Sequence, residues 1–444
     1  MVEFKLPEDF LMGTATASVQ IEGGDTNNTW FKWCQEGNIK DKSSCFTAND
    51  HWNRLNEDIG LLKALNVNTH RMSLEWSRIE PSRGSFSRDA ISHYREELKA
   101  LIANNIKPLV TLHHFSEPLW FHHAGAWENG ENVAYFLDYV RFVMEELGDL
   151  ATEWVTFNEP NVYTSMGYAL GAWPPGKVDF LKALRVQSEI IKAHLKAYAL
   201  IHEIRKSKGF QGETKVGCAI HIRVFDASKP MGKIMSYLAD YIFNELIMEG
   251  VTTGKIKFPL TKKGFKPSKG IFADFLGINY YTRNVVEFAL KPSTLFYRET
   301  TDDRLEKTES GWDIYPDGLY RICKKYYRKY GLPVYITENG INTSVDHKKS
   351  EFICRHLAAV EKLIREGVPV ERYYYWTLMD NFEWTEGEST RFGLIHCNFR
   401  NQERKMRNSG KLYAYLCKNK ALTKKVFAEY DKILKKDFSS FNVK

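Results

Sequence analysis

Short runs of β-branched and aromatic residues recur along the whole chain, each followed by a longer amphipathic stretch. This alternation limits the fold more than any other feature. Eight runs can be counted, at 10–18, 69–76, 107–115, 153–159, 215–224, 274–282, 333–339 and 372–380. Strand alternating with helix is the pattern of a parallel sheet covered by helices. Between the runs the apolar residues switch to helical spacing. In 88–104 these are Ile91, Tyr94, Leu98, Leu101 and Ile102, with Asn104-Asn105 as a C-terminal stop; in 352–365 they are Phe352, Ile353, Leu357, Val360 and Ile364. Eight such units fit a closed (β/α)8 barrel, an α/β fold whose working end is the C-terminal end of its strands. No linker, low-complexity tract or internal repeat divides residues 1–444, so a single barrel domain is expected. The stretches 22–50, 161–180 and 283–311 follow neither period and are expected to form irregular loops over the barrel mouth.

Two of the runs end in a carboxylate. Val155-Thr156-Phe157 leads into Asn158-Glu159, and Val334-Tyr335-Ile336 leads into Thr337-Glu338. Strand interiors bury their side chains, so a carboxylate at the last position sits where the sheet meets a cleft. On the strand count Glu159 ends the fourth run and Glu338 the seventh. Two facing carboxylates are the minimal equipment for cleaving a glycosidic bond, one as acid and one as nucleophile or base. Separations of about 5–5.5 Å go with retention and about 6.5–9.5 Å with inversion; the sequence leaves that choice open.

The two motifs, TFNEP (156–160) and ITENG (336–340), resemble the acid/base and nucleophile motifs of glycoside hydrolase family 1, the β-glucosidase family. The resemblance extends to FLMGTATASVQIEG (10–23), RMSLEWSRIEP (71–81), TLHHFSEP (111–118), DFLGINYYT (274–282), GWDIYPDGLY (311–320) and WTLMDNFEWTEGESTRFGL (376–394), in that family's order. It covers almost the whole chain. It implies a TIM barrel acting as a retaining exo-β-glycosidase on terminal, non-reducing β-D-glucosyl residues, with β-galactosides and β-fucosides as secondary substrates. Glu338 would attack the anomeric carbon and Glu159 would protonate the leaving oxygen. Glu159 is then expected to be protonated near neutral pH, its pKa raised by a dry site and by the Glu338 charge. No cofactor is expected, because acid and nucleophile are both protein carboxylates, and no metal site is expected.

The resemblance also implies the supporting cast. Arg71 matches the arginine that hydrogen-bonds the nucleophile, and Tyr281 the tyrosine that donates to it. Asn279 lies two residues before Tyr281, on the same strand face. Asn158 matches the asparagine that binds the sugar 2-hydroxyl. Gln20, His114, Glu383 and Trp384 match the sugar-binding set, and Trp376 the indole forming the floor under the ring. Amide, imidazole and carboxylate groups hydrogen-bond hydroxyls, while indole faces cover the apolar face of a pyranose. Glu383, near O4 and O6, would repel a 6-phosphate, so an unphosphorylated sugar is expected. Trp312, with Tyr168 and Trp173, is the candidate aglycone contact. Departures from the family pattern are Val19, Phe115, Ser116-Glu117, His221 (where an asparagine is frequent) and Glu388. Phe115 and Glu388 leave the sugar preference and the aglycone surface open. A barrel that mainly transfers the glycosyl group to an acceptor alcohol would use the same residues. A catalytically dead sugar-binding barrel would be expected to lack one of the two glutamates.

Composition excludes other classes. The net charge of +7 is concentrated in the tail 417–437, where the lysines fall at helical spacing, as on a solvated helix face; no nucleic-acid partner is expected. The seven cysteines lie at 34, 45, 218, 323, 354, 397 and 417, with no CxxC pair, which suits a reducing compartment. His113-His114 and His122-His123 lack HExxH spacing and are expected to be pocket and loop histidines. No apolar run reaches the roughly eighteen residues of a membrane span, and MVEFKLPEDF carries charge where a signal peptide has its apolar core. A cytoplasmic enzyme on a small-molecule β-glycoside is therefore expected, with no membrane partner and the oligomeric state open.

Overall fold

Eight parallel strands close on themselves in the computed structural model, which describes residues 3–260, 270–290 and 297–436. They are β1 (Leu11–Ala15), β2 (Thr69–Ser73), β3 (Lys107–His113), β4 (Glu153–Asn158), β5 (Lys215–His221), β6 (Leu276–Asn279), β7 (Val334–Asn339) and β8 (Val370–Trp376). Each pairs with its sequence neighbour, and β8 returns to β1, with Tyr374 opposite Gly13 and Trp376 opposite Ala15. All eight expected strands are present. Both faces of each strand are covered, by barrel interior on one side and helices on the other. Hence Glu-Trp-Val-Thr-Phe-Asn of β4 is buried at every position.

The helices between strands are α1 (His51–Ala64), α2 (Arg88–Ala103), α3 (Val133–Leu147), α4 (Phe180–Ser207), α5 (Leu246–Thr253), α6 (Pro316–Tyr330), α7 (Asp346–Arg365) and α8 (Asn408–Asn419). Their ends follow local chemistry. The Ser87 side chain caps α2 by accepting from the Ala90 amide, and the face Ile91, Tyr94, Leu98 and Leu101 packs on the barrel. Proline opens α6 at its first turn, and Gly331 closes it in a left-handed conformation at φ 70°. Phe4 and Lys5 pair antiparallel with Leu422 and Ala421. At the N-terminal end of the strands, Arg372 of β8 reaches across the barrel to Glu153 of β4, both buried. No helix among the described residues is long and apolar enough to cross a membrane.

The loops are more ordered than their sequences suggest. Within 22–50 a helix, Thr29–Gln35, starts on the Asn28 side chain, which accepts from Phe31. Within 161–180 the turn Pro160–Thr164 runs into a π-helical turn, Ser165–Ala169. Within 283–311 Arg283–Phe288 and Tyr297–Thr300 form a hairpin, and Val224–Ala227 adds a third, parallel strand; residues 291–296 lie outside the described residues. This small sheet buries only Val286 of its first strand fully, so charged neighbours hide its period. The basic tail continues as a helix over Lys424–Lys436, and its residue 437 lies outside the described residues.

Candidate active site

The C-terminal rim of the barrel gathers at least one polar or aromatic group from the end of each strand. Gln20 follows β1 on a short helix, and Arg71 lies within β2. His114 follows β3, and Asn158 and Glu159 stand at the end of β4. His221 ends β5, Asn279 ends β6, Glu338 is the fifth residue of β7, and Trp376 ends β8. They surround a cavity of about 610 Å³. His114, Asn158, Glu159, Tyr281, Trp312, Glu338, Trp376, Glu383 and Trp384 line it. Gln20, Arg71 and Asn279, all fully buried, stand behind that lining and hold it.

The two glutamates are joined by one unbroken hydrogen-bonded chain. Arg71 Nη1 donates to Glu338 Oε1 at 2.5 Å, and Arg71 Nη2 donates to Asn158 Oδ1 at 2.7 Å. Asn279 Nδ2 donates to Asn158 Oδ1 at 3.0 Å and to Glu159 Oε1 at 2.8 Å. The second oxygen of Glu338 accepts from the Tyr281 hydroxyl at 2.6 Å. Burial pushes the Glu338 carboxyl up to about 7; Arg71 pulls it down, Glu159 adds to the rise, and Tyr281 opposes it. Burial and the Glu338 charge push the Tyr281 phenol well above its usual value, so it remains a donor.

Donor-only partners fix the orientation of the neighbouring side chains. Because the guanidinium can only donate, Asn158 turns Oδ1 toward Arg71 and presents Nδ2 to His114 Nε2 at 2.9 Å. His114 Nε2 therefore accepts, and its proton sits on Nδ1, which has no partner among the described residues. Burial and the Arg71 charge hold this imidazole well below its usual pKa, hence neutral. Gln20 donates from Nε2 to the Phe382 carbonyl at 2.8 Å and leaves Oε1 buried without a partner among the described residues. An imidazole donor at the lining and an amide acceptor directly behind it are thus left unpaired among the described residues. Desolvation at the cavity wall raises Glu383 to about 8, with the Glu338 charge adding and hydrogen bonds from Trp376 and Gln20 opposing.

Aromatic rings form much of the remaining wall. Trp384 packs on Trp30 at 4.8 Å between centroids and on Phe115 at 5.0 Å. Three non-glycine wall residues, Phe115, Glu159 and Trp384, have φ of 67°, 45° and 50°. Left-handed backbone of this kind costs about 1–3 kcal/mol per residue and collects at working sites.

Trp312 lines the outer cavity against Tyr281, and Trp173 lines it against Phe115 and Trp384. Tyr168 does not: it is fully buried beside Tyr163, because the π-helical turn directs it inward. Glu388 is also off the lining, and its amide is held by Asp41. The outer wall brings in Lys40, Arg223, Glu309 and Asn342, which lie in none of the quoted motifs, and Glu386. His221, visible in the sequence only as a departure, lies 3.2 Å from Glu159.

The family model described as Glycosyl hydrolase family 1 matches residues 2–422. Beta-glucosidase A of Thermotoga maritima is 32% identical over 451 residues, covering 94% of this chain and 99% of the relative. A 6-phospho-beta-galactosidase of Leptotrichia buccalis is 30% identical over 480 residues, covering 95% and 99%. The solved structure of a beta-glycosidase from Pyrococcus horikoshii superposes with a TM-score of 0.89 at 37% identity, covering 97% of this chain and 99% of that one.

Proposed function

This chain belongs to glycosyl hydrolase family 1 and is a glycoside hydrolase, and from that premise we propose that it is a retaining exo-β-glycosidase acting on unphosphorylated β-D-glucosides. Residues 1–444 act as one barrel unit, and β-galactosides and β-fucosides are secondary substrates. The observation that carries this reading is the chain Glu338–Arg71–Asn158–Asn279–Glu159. It holds two carboxylates at one cavity while giving them different surroundings.

Both oxygens of Glu338 accept from a cation or a phenol, which suits an ionised nucleophile. Glu159, whose partners are an amide and an imidazole, is the acid of the pair. Glu338 attacks the anomeric carbon as the bond to the leaving oxygen breaks, and Glu159 gives that oxygen its proton. The covalent ester removes the Glu338 charge, and Glu159 then takes a proton from the incoming water as the ester bond opens. Gln20, His114, Glu383 and Trp384 bind the sugar hydroxyls, Trp376 lies under the ring, and Trp312 contacts the aglycone. Glu383 also discriminates: ionised or protonated, it offers a 6-phosphate no cation. The test is kcat/KM on nitrophenyl β-glycosides. Turnover of gluco and fuco substrates with glucose-6-phosphate near zero is expected; preference for the 6-phosphate would overturn the assignment of Glu383.

A further inference from the structure

His221 and Arg223 act on Glu159 in a way that none of the matched motifs describes. The Arg223 Nε–H, which can only donate, points at His221 Nε2 at 3.1 Å. That nitrogen is therefore the lone-pair nitrogen of the ring. Burial lowers the proton affinity of His221, and the Arg223 charge adds to this against the pull of Glu159, so the ring holds a single proton. The proton sits on Nδ1, which faces Glu159 Oε1 at 3.2 Å.

The surroundings hold this arrangement in place. His221 stacks on Tyr281 at 5.6 Å with 15° between planes and meets the edge of Phe243. Asn161 donates to the His221 carbonyl at 2.7 Å. Asn244 both donates to and accepts from the Arg223 backbone, and the guanidinium lies over Phe243, 3.7 Å from Glu299 at its far end.

Among the described residues two side-chain donors reach Glu159, Asn279 Nδ2 and His221 Nδ1, and both land on Oε1. Asn279 cannot turn over to relieve this, because Asn158 Oδ1, fixed as an acceptor by Arg71, also takes Asn279 Nδ2 as its donor at 3.0 Å, and a flip would set two amide oxygens face to face. An oxygen that accepts two N–H groups has no room for a proton of its own. We propose that Arg223 and His221 are positioning residues: Arg223 selects the imidazole tautomer that donates to Glu159 Oε1, which confines the acid's proton to Oε2. Oε2 is then the oxygen that protonates the leaving group, and the one that takes the proton from water in the second step. The proposal rests on Glu159 being the acid/base.

The experiment compares kcat/KM for an alkyl β-glucoside, whose leaving group needs the proton, with that for 2,4-dinitrophenyl β-glucoside, which does not. Arg223→Met and His221→Phe are expected to lose about 10- to 100-fold on the alkyl substrate, part of the range of general acid catalysis. On the dinitrophenyl substrate they lose less than about threefold, which also shows that the variants fold. His221→Asn, which restores an N–H donor, recovers most of the alkyl activity. Equal losses on both substrates, or no loss on either, overturn the proposal. Glu159→Ala separates the two readings. If it loses alkyl turnover while Arg223→Met does not, the positioning role alone is wrong. If Glu159→Ala keeps full alkyl turnover, the acid assignment falls and the positioning role with it.

Discussion

Arg71 and Glu338 form an ion pair in which both side chains are almost sealed from solvent, 1% and 4% exposed. The same guanidinium also donates to Asn158, so one fork orients both the proposed nucleophile and the residue beside the proposed acid. A lysine keeps the charge and loses the fork. Arg71→Lys is expected to lower kcat by about a hundredfold or more through misplacement of reacting groups, with a smaller change in KM. Steady-state kinetics check this, and a change confined to KM would contradict it.

Tyr281→Phe removes the hydroxyl that donates to Glu338 Oε2. That bond opposes protonation of Glu338, whose carboxyl already stands at about 7. Without it the carboxyl rises further, so the acid limb of kcat/KM moves to higher pH. The expected loss at neutral pH is about tenfold to a hundredfold, as for removal of one hydrogen bond to a charged group. A pH–rate profile with an unmoved acid limb would contradict the role.

Stability should fall as pH rises above neutrality. Glu383 at about 8 and Glu22 at about 7 are both raised chiefly by desolvation from an ordinary value of 4.5. The folded state therefore binds more protons than the unfolded chain between the ordinary value and these raised ones, and stability declines across that window. His51, held at about 10 by Asp58 and Glu97 against burial, adds stability below 6.5 that is lost as pH climbs through 10. His70 and His194, both pushed down to about 4 by burial, act oppositely: they favour the fold above 6.5 and weaken it as pH falls toward 4. The Tm is expected to peak near the histidine range and drop as pH rises toward 8; above that Lys349, pushed down to about 7 by burial, favours the fold and offsets the loss from His51. Glu383→Gln should shrink that drop while lowering activity, and an alkaline limb unchanged in Glu383→Gln would contradict the assignment.

Two glycines should respond in opposite directions. Gly331 caps α6 at φ 70°, where a side chain is strained even though nothing lies within 4 Å of an added Cβ. Gly331→Ala should cost about 1 kcal/mol. Gly60 lies inside α1 with a helical backbone and equally open space, so Gly60→Ala should add about 0.5–1 kcal/mol. Denaturant midpoints check both, and kcat/KM should not move in either.

The parts of this molecule that were legible in its sequence are those with a short-range signature. Eight apolar runs announced eight strands, and Glu159 and Glu338 stood out because each ends such a run. Gln20, His114 and Glu383 were legible only through resemblance, since nothing local marks an amide or an imidazole as pocket-forming. His221 registered as a departure, yet its meaning lies in a contact with Glu159 across 62 residues. Arg223 left no mark at all, because an arginine two residues past a strand is ordinary until its partner is known. The hairpin after β6 was missed because Arg283, Asn284 and Glu287 break its apolar alternation, and the inward turn of Tyr168 depends on one π-helical turn.

Covalent trapping tests the central claim most directly. A 2-deoxy-2-fluoro-β-glucoside with a good leaving group slows hydrolysis of the glycosyl-enzyme, so the adduct can be located by peptide mass spectrometry. The account predicts one fluoroglucosyl group on the peptide containing Val334–Asn339, borne by Glu338, and no adduct in Glu338→Gln. An adduct on any other carboxylate, or steady turnover of the native substrate by Glu338→Gln, would contradict it.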